Sequence, residues 1–246
     1  MKVAVILPAA GLGTRMRPVT AEKAGTSRKQ FMLLEGSPIL LHTVRRFAGL
    51  ERINEIVVPV RPEDLEWVAE MLRREIYGKP VRVVEGGNSR QESVERGLAA
   101  LAPDTELVAV HDAVRPFIDP ETIHKVLDEA ARTGAAIVGV VPVDTVKQVG
   151  RTQASGVKIR GTIPRDKLVL AQTPQVFRYD LLRQAFEAAR ADGFIGTDEA
   201  SLVERLDQVE VGVVLGSDRN IKITKPSDMD LARLFLQHET VRQGTL

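Results

Sequence analysis

Cysteine is absent from the 246-residue chain. Disulfides, thiolate nucleophiles and cysteine-ligated zinc are thereby excluded, and the absence suits a reducing compartment. A surplus of positive charge is missing too. Lysine plus arginine total 34 against 33 aspartates plus glutamates, so no overall basic field exists to hold a nucleic-acid backbone or an anionic membrane. Neither partner is expected, and any anion site has to be local. No apolar run approaches the roughly 18 residues of a membrane span, and Met1-Lys2-Val3 enters a strand-like run without a cleavable signal pattern. The expected location is the cytoplasm.

With 43% hydrophobic residues, the chain can bury a full core, and one domain over residues 1–246 is expected. Strand-like runs at Val3 to Leu7, Ile53 to Val60, Val81 to Val84, Leu107 to Val110 and Ala136 to Val143 alternate with amphipathic helical stretches. The helices are expected at Ile39 to Phe47, Glu63 to Arg74, Glu92 to Leu101 and Glu121 to Ala131. That alternation predicts an α/β fold, Rossmann-like, with a mainly parallel sheet flanked by helices. Ser89 and Glu92 form a capping-box pattern. From Asp144 to Thr173 the pattern breaks into mixed β-branched, charged and glycine residues, which predicts an extended β-arm leaving the sheet. Helices near Leu181 to Ala191 and Asp198 to Leu206, strands near Val209 to Leu215 and Ile221 to Thr224, and a helix from Ser227 complete the chain.

The first strand runs into Pro8-Ala9-Ala10-Gly11-Leu12-Gly13-Thr14-Arg15-Met16. Ligands in open parallel sheets bind at the carboxyl ends of strands. Small residues there let backbone NH groups approach a polyphosphate, and Arg15 adds a planar cation. Two commoner glycine-rich loops do not match. The dinucleotide fingerprint fails because Met16 holds the third glycine's position and no acid ends a second strand about 20 residues on, and the P-loop fails because no Gly-Lys-Ser/Thr follows. The alternative is a structural turn; Arg15 and Lys29 favour phosphate binding.

Pro8 to Met16, followed by Lys29-Gln30, resembles the signature of sugar-nucleotide and polyol-phosphate nucleotidyltransferases. Further segments narrow the resemblance: Gly86-Gly87 with Arg90 and Ser93, His111 to Pro116, Asp144 to Lys147, Thr173-Pro174-Gln175, Thr197 to Ala200, and Asn220-Ile221-Lys222. Together they are similar to the 2-C-methyl-D-erythritol 4-phosphate cytidylyltransferase family over nearly the whole chain. Two departures stand out: a longer span between Met16 and Lys29 than the family shows, and Val114 where the family has alanine.

The resemblance implies an enzyme that joins CTP to a polyol phosphate, with magnesium as the divalent cation, in isoprenoid precursor synthesis. It further implies that Arg15 and Lys29 stabilise the pentavalent phosphorus and that Arg165 and Lys222 position the attacking phosphate. Ala9, Ala10, Gly11, Gly13, Gly86, Ser93 and Asp112 are implied in nucleotide binding, Arg115, Thr145 and Thr173 in acceptor binding, and Asp112 as the magnesium ligand. The arm is implied to reach across a homodimer, so that Arg165 serves the partner's site. Blander readings stand beside these. Each cation alone is a solvated surface charge, and Asp112 pairs with Arg115 to shape a turn. Ser93 faces its own helix backbone, the threonines are ordinary strand residues, and Thr197 is an N-cap followed by acids in the first helical turn. Rival functions are ribitol 5-phosphate cytidylyl transfer, a non-catalytic nucleotide-binding module, and a dinucleotide oxidoreductase.

Overall fold

The structure, a computed structural model, describes residues 1–12, 28–152 and 156–243. The strands are β1 (Val3–Ile6), β2 (Leu33–Leu34), β3 (Ser37–Pro38), β4 (Glu55–Val60), β5 (Val81–Glu85), β6 (Leu107–Val110), β7 (Ala135–Val140), β8 (Val146–Thr152), β9 (Gly156–Ile163), β10 (Leu170–Arg178) and β11 (Gly212–Leu215). The helices are α1 (Ile39–Ala48), α2 (Leu65–Arg73), α3 (Arg90–Ala99), α4 (Pro120–Thr133), α5 (Tyr179–Asp192), α6 (Glu199–Glu204) and α7 (Pro226–Gln243), with short 3-10 turns at Lys29–Phe31, Pro62–Asp64 and Arg165–Lys167. Among the described residues no helix is long and apolar enough to cross a membrane.

One seven-stranded sheet, in the order β11, β7, β10, β6, β1, β4, β5, forms the centre. Its pairs are parallel except those of β10, which runs antiparallel to both β6 and β7. Because helices cover both faces, the central strands read as unbroken apolar runs: Val3, Ala4, Val5 and Ile6 of β1 are all buried. Alternate side chains feed two cores. Val5, Leu7 and Ala109 enter one, while Ile6, Val108 and Val110 enter the other.

Helix boundaries follow local chemistry. Asp119 caps α4 by accepting the Thr122 NH at 2.8 Å, and Gly134 ends the helix in the left-handed region at φ 96°. The Ser89 cap is also present, its hydroxyl accepting the Glu92 NH at 3.0 Å. The Glu92 carboxylate reaches back to the NH of Asn88 rather than to that of Ser89, so the box closes one residue early.

The region from 144 onward is where the pattern is hardest to read. It holds the predicted arm, a β8–β9 hairpin, but its last part is β10, a central strand. Gln172, Thr173, Pro174 and Gln175 disguise β10. Proline lacks an NH for the ladder and belongs at a strand edge or bulge, and here the register against β7 shifts between Ala171 and Gln175. Ile221 to Thr224, predicted as a strand, is not one. The Ile223 NH donates instead to the carbonyl of Val114 at 3.0 Å, and the Thr224 NH to Asp228 at 2.8 Å, so the segment is spent on the turn after β6 and on the start of α7.

Candidate active site

The chain leaves β1 to build β4 and β5 on one side of it and β6 on the other. The loops after β1 and β6 therefore diverge at the point where the strand order reverses, the usual ligand crevice of such sheets. A cleft of about 340 Å³ lies there, lined by Ala9, Ala10, Gly11, Lys29, Ser93, Asp112 and Lys222 among others. Among its described lining residues, Asp112 is the one carboxylate, against Lys29, Arg61, Arg90 and Lys222. The local cationic site required by a nearly neutral chain is here.

Asp112 is the second residue past β6 and is 7% exposed. Its Oδ2 receives Lys222 Nζ at 2.8 Å and Arg115 Nε at 3.2 Å, and its Oδ1 receives Arg90 Nε at 3.3 Å. Burial penalises the charged carboxylate, but Arg90, Lys222 and Arg115 outweigh that penalty and hold the group well below the usual carboxylate range. The expected Asp112–Arg115 pair is real but is one contact of three. Arg115 also donates to the Asn220 carbonyl at 2.7 Å, which ties the β6 turn to the segment that carries Lys222.

Beneath this carboxylate, His111 is fully buried. Its Nε2 lies 3.0 Å from the Arg115 carbonyl, which only accepts, so Nε2 carries the proton. Nδ1 then accepts from the Thr173 hydroxyl at 3.1 Å, and the same hydroxyl oxygen accepts the Asp112 NH at 3.0 Å. Thr173, 4% exposed, thus has its hydroxyl engaged inside the protein, orienting the backbone under Asp112. Burial pushes the His111 pKa down to about 4. A lowered histidine pKa means its stabilising contribution is complete above 6.5 and is lost as the pH falls toward about 4, an interval worth about 3 kcal/mol. Denaturant unfolding between pH 7 and 4 should show this loss in the native protein and a smaller one in His111→Asn. Glu199, whose carboxyl burial pushes upward against the pull of Arg90, works in the opposite direction; taking the difference between the two proteins removes it.

On the other wall, Ser93 in α3 is 2% exposed; its hydroxyl donates to the Ser89 carbonyl at 2.7 Å and accepts the Gly87 NH at 3.0 Å. The hydroxyl thus faces the backbone around its own helix start, and the residue is part of the cleft lining. Gly86 packs behind it: a Cβ there would lie 2.8 Å from the Ala10 Cβ and 3.1 Å from the Val60 carbonyl.

Lys29 opens a 3-10 turn at the cleft, and its neighbours on both sides are anchored. Arg28 pairs with buried Asp64 at 2.5 Å and lies 5.6 Å over the Phe31 ring, and Gln30 donates to the carbonyls of Ala9 at 2.7 Å and Gly11 at 2.9 Å. Gly13 and Arg15 lie outside the described residues. Thr145 and Arg165 are exposed and do not line the cleft of their own chain; the Arg165 guanidinium donates to the Val143 carbonyl.

A family model described as 2-C-methyl-D-erythritol 4-phosphate cytidylyltransferase matches residues 3–238. The chain belongs to that family. A protein of this name from Solibacter usitatus is 72% identical, with 98% of each chain covered, and one from Acidobacterium capsulatum is 51% identical, with 98% of this chain and all of that one covered. Among solved structures, the 4-diphosphocytidyl-2C-methyl-D-erythritol synthase of Anaerococcus prevotii is similar with a TM-score of 0.82 at 30% identity, covering 96% of each chain.

Within this cytidylyltransferase framework, sequence reasoning missed three residues of the site. In the sequence Arg90 and Asn220 belong to motifs that assign them no role, and Glu199 reads as one of the acids of a helix start. The N-cap is Asp198, not Thr197: Asp198 accepts the Ser201 NH at 3.0 Å. Glu199, 1% exposed, pairs with Arg90 at 2.7 Å. No local signal distinguishes Glu199 from the acids usual in a first helical turn.

Proposed function

We propose that this protein transfers the cytidylyl group of CTP to 2-C-methyl-D-erythritol 4-phosphate, forming 4-diphosphocytidyl-2-C-methyl-D-erythritol and pyrophosphate. The observation that carries this reading is the convergence of the β1 loop, Lys29, Asp112 and Lys222 on one cleft at the reversal of strand order. Family membership favours the erythritol acceptor over ribitol 5-phosphate.

Both reactants are anionic, and the acceptor phosphate is already ionised near neutral pH. It needs no general base; positioning and cations around the developing charge supply the catalysis. One acceptor oxygen attacks the α-phosphorus, and the bond to the β-phosphate breaks to release pyrophosphate. Lys29, with Arg15, is assigned to the charge on the pentavalent phosphorus. Lys222 and Arg165 are assigned to the acceptor phosphate, and Arg115 with Thr145 to the acceptor. Thr173 acts through His111 and the Asp112 backbone, since its hydroxyl is already engaged there.

Magnesium suits the donor set. It binds through one or two carboxylates and completes its shell with phosphate oxygens and water. Asp112 provides that carboxylate, and among the described residues no group of three or more acids or histidines is arranged to hold a metal alone. When bound, the ion neutralises triphosphate charge ahead of attack.

Pyrophosphate release should require CTP, a divalent cation and methylerythritol phosphate together. Turnover with ribitol phosphate alone would replace the acceptor, and binding of NAD without CTP would remove the class. Gly86→Ala pushes a methyl against Ala10 and the Val60 carbonyl. It is expected to lower stability by about 1–3 kcal/mol and to weaken CTP binding, read by thermal melting and calorimetry; unchanged affinity would detach Gly86 from the nucleotide wall.

The arm supports a homodimer. Val143, Val149, Val157, Ile159 and Val169 are exposed along it, an apolar surface suited to a second copy. Arg165 then serves the neighbouring cleft. Mixing Arg165→Ala chains with Lys29→Ala chains should restore activity, because mixed dimers contain one intact composite site. Absence of recovery would place all site residues on one chain.

A further inference from the structure

The Arg90–Glu199 pair is a costly one to bury. Glu199 is 1% exposed, yet its Oε2 has no hydrogen-bond partner among the described residues. A buried ion pair offsets its desolvation only when its remaining polar atoms are satisfied. What the pair does have is rigid support. Gln175 of β10 donates to Asp198 at 2.7 Å and accepts the Ala200 NH at 3.0 Å, which holds the residues on either side of Glu199. Gln91, next to Arg90, accepts the Gly196 NH at 2.9 Å and donates to the Phe194 carbonyl at 3.1 Å, which locks the start of α3 to the loop before α6.

The contacts of Arg90 are unequal. Its Nη1 meets Glu199 at 2.7 Å, whereas only Nε, at 3.3 Å, meets Asp112. Arginine–carboxylate pairs frequently form two parallel bonds. Such a fork on Asp112 would shorten the contact on Oδ1 and add a third donor to Oδ2, which already receives Lys222 and Arg115.

Resting on the nucleotide-binding reading of the cleft, we propose that Glu199 is a positioning residue. It draws the Arg90 guanidinium aside, so that Arg90 meets Asp112 Oδ1 through a single long contact and that oxygen, which has one donor where Oδ2 has two, keeps a lone pair for the magnesium–CTP complex. Without Glu199, Arg90 closes on Asp112 and competes with the nucleotide.

A double-mutant cycle tests this, with calorimetric binding of CTP in magnesium alongside pyrophosphate release and thermal melting. Glu199→Gln keeps the shape and removes the charge; it should weaken CTP binding about tenfold, the scale typical of residues that orient a ligating group. In an Arg90→Lys background, where no fork forms, Glu199→Gln should cause no further loss. An equal loss in both backgrounds overturns the proposal, and so does a coupling that appears equally in the melting temperature, because a merely structural pair couples in stability whereas a positioning role couples in CTP binding beyond it. If the glutamine protein does not fold, Glu199→Asp, which withdraws the charge from Arg90, runs the same cycle with the same two outcomes. Failure of the native protein to bind CTP at all would instead count against the nucleotide-binding reading.

Discussion

Asp112→Asn lowers turnover by on the order of 10²-fold or more, the scale of losing one preorganised electrostatic group. Asparagine has nearly the shape of aspartate, so the change isolates charge. It leaves Arg90, Arg115 and Lys222 around a neutral amide, and removes the carboxylate assigned to magnesium. Breaking a buried pair from one side typically costs about 3–5 kcal/mol. The lower end is expected here, because Arg90 keeps Glu199 and Lys222 is 34% exposed. The folded pKa of Asp112 is depressed, so its contribution is present at neutral pH and disappears only as the pH falls through that low value. The variant should therefore show its full stability loss at pH 7. Turnover measured well below the melting temperature separates the two effects; a folded Asp112→Asn protein with native activity would remove Asp112 from the mechanism.

Lys29→Ala is the second large effect, also on the order of 10²-fold in turnover, but with a different signature. The backbone beneath Lys29 is held by Arg28 on Asp64 and by Gln30 on the Ala9 and Gly11 carbonyls. Losing the ammonium leaves those anchors in place, and turnover measured well below the melting temperature isolates the loss of charge. A cation that acts on the pentavalent phosphorus is felt more strongly in the transition state than in the bound substrate, so kcat should fall more than the KM for CTP rises. A rise in KM alone would make Lys29 a binding residue. Gln30 ties the backbone next to Lys29 to the Ala9 and Gly11 carbonyls after β1, so Lys29 stands at the cleft.

How far the site was legible in the chain depends on the kind of residue. Ala9, Ala10 and Asp112 lie just past strand ends and Lys29 and Lys222 stand in short motifs, where local pattern carries information, and the fold brings all five to one cleft. Thr145 and Arg165 belong to the arm and do not reach the cleft of their own chain. Thr173 was read from its motif as facing the acceptor, whereas its hydroxyl lies between Asp112 and His111. Neither direction nor partner is visible in a threonine's place in a strand.

By itself, the sequence determined the α/β class, a mainly parallel sheet flanked by helices and the place of the small-residue segment at the end of the first strand. Each depends on periodicity or on a neighbour a few residues away, and such information is written locally. Only the tertiary structure decided that Leu170–Arg178 is a central antiparallel strand, that residues 221–224 serve the β6 turn, and that Glu199 turns inward to Arg90 across 109 residues of chain. The physical reason is common to all three. Polar groups in these segments find their partners on distant elements, and which distant groups meet is fixed by how the sheet and its helices pack.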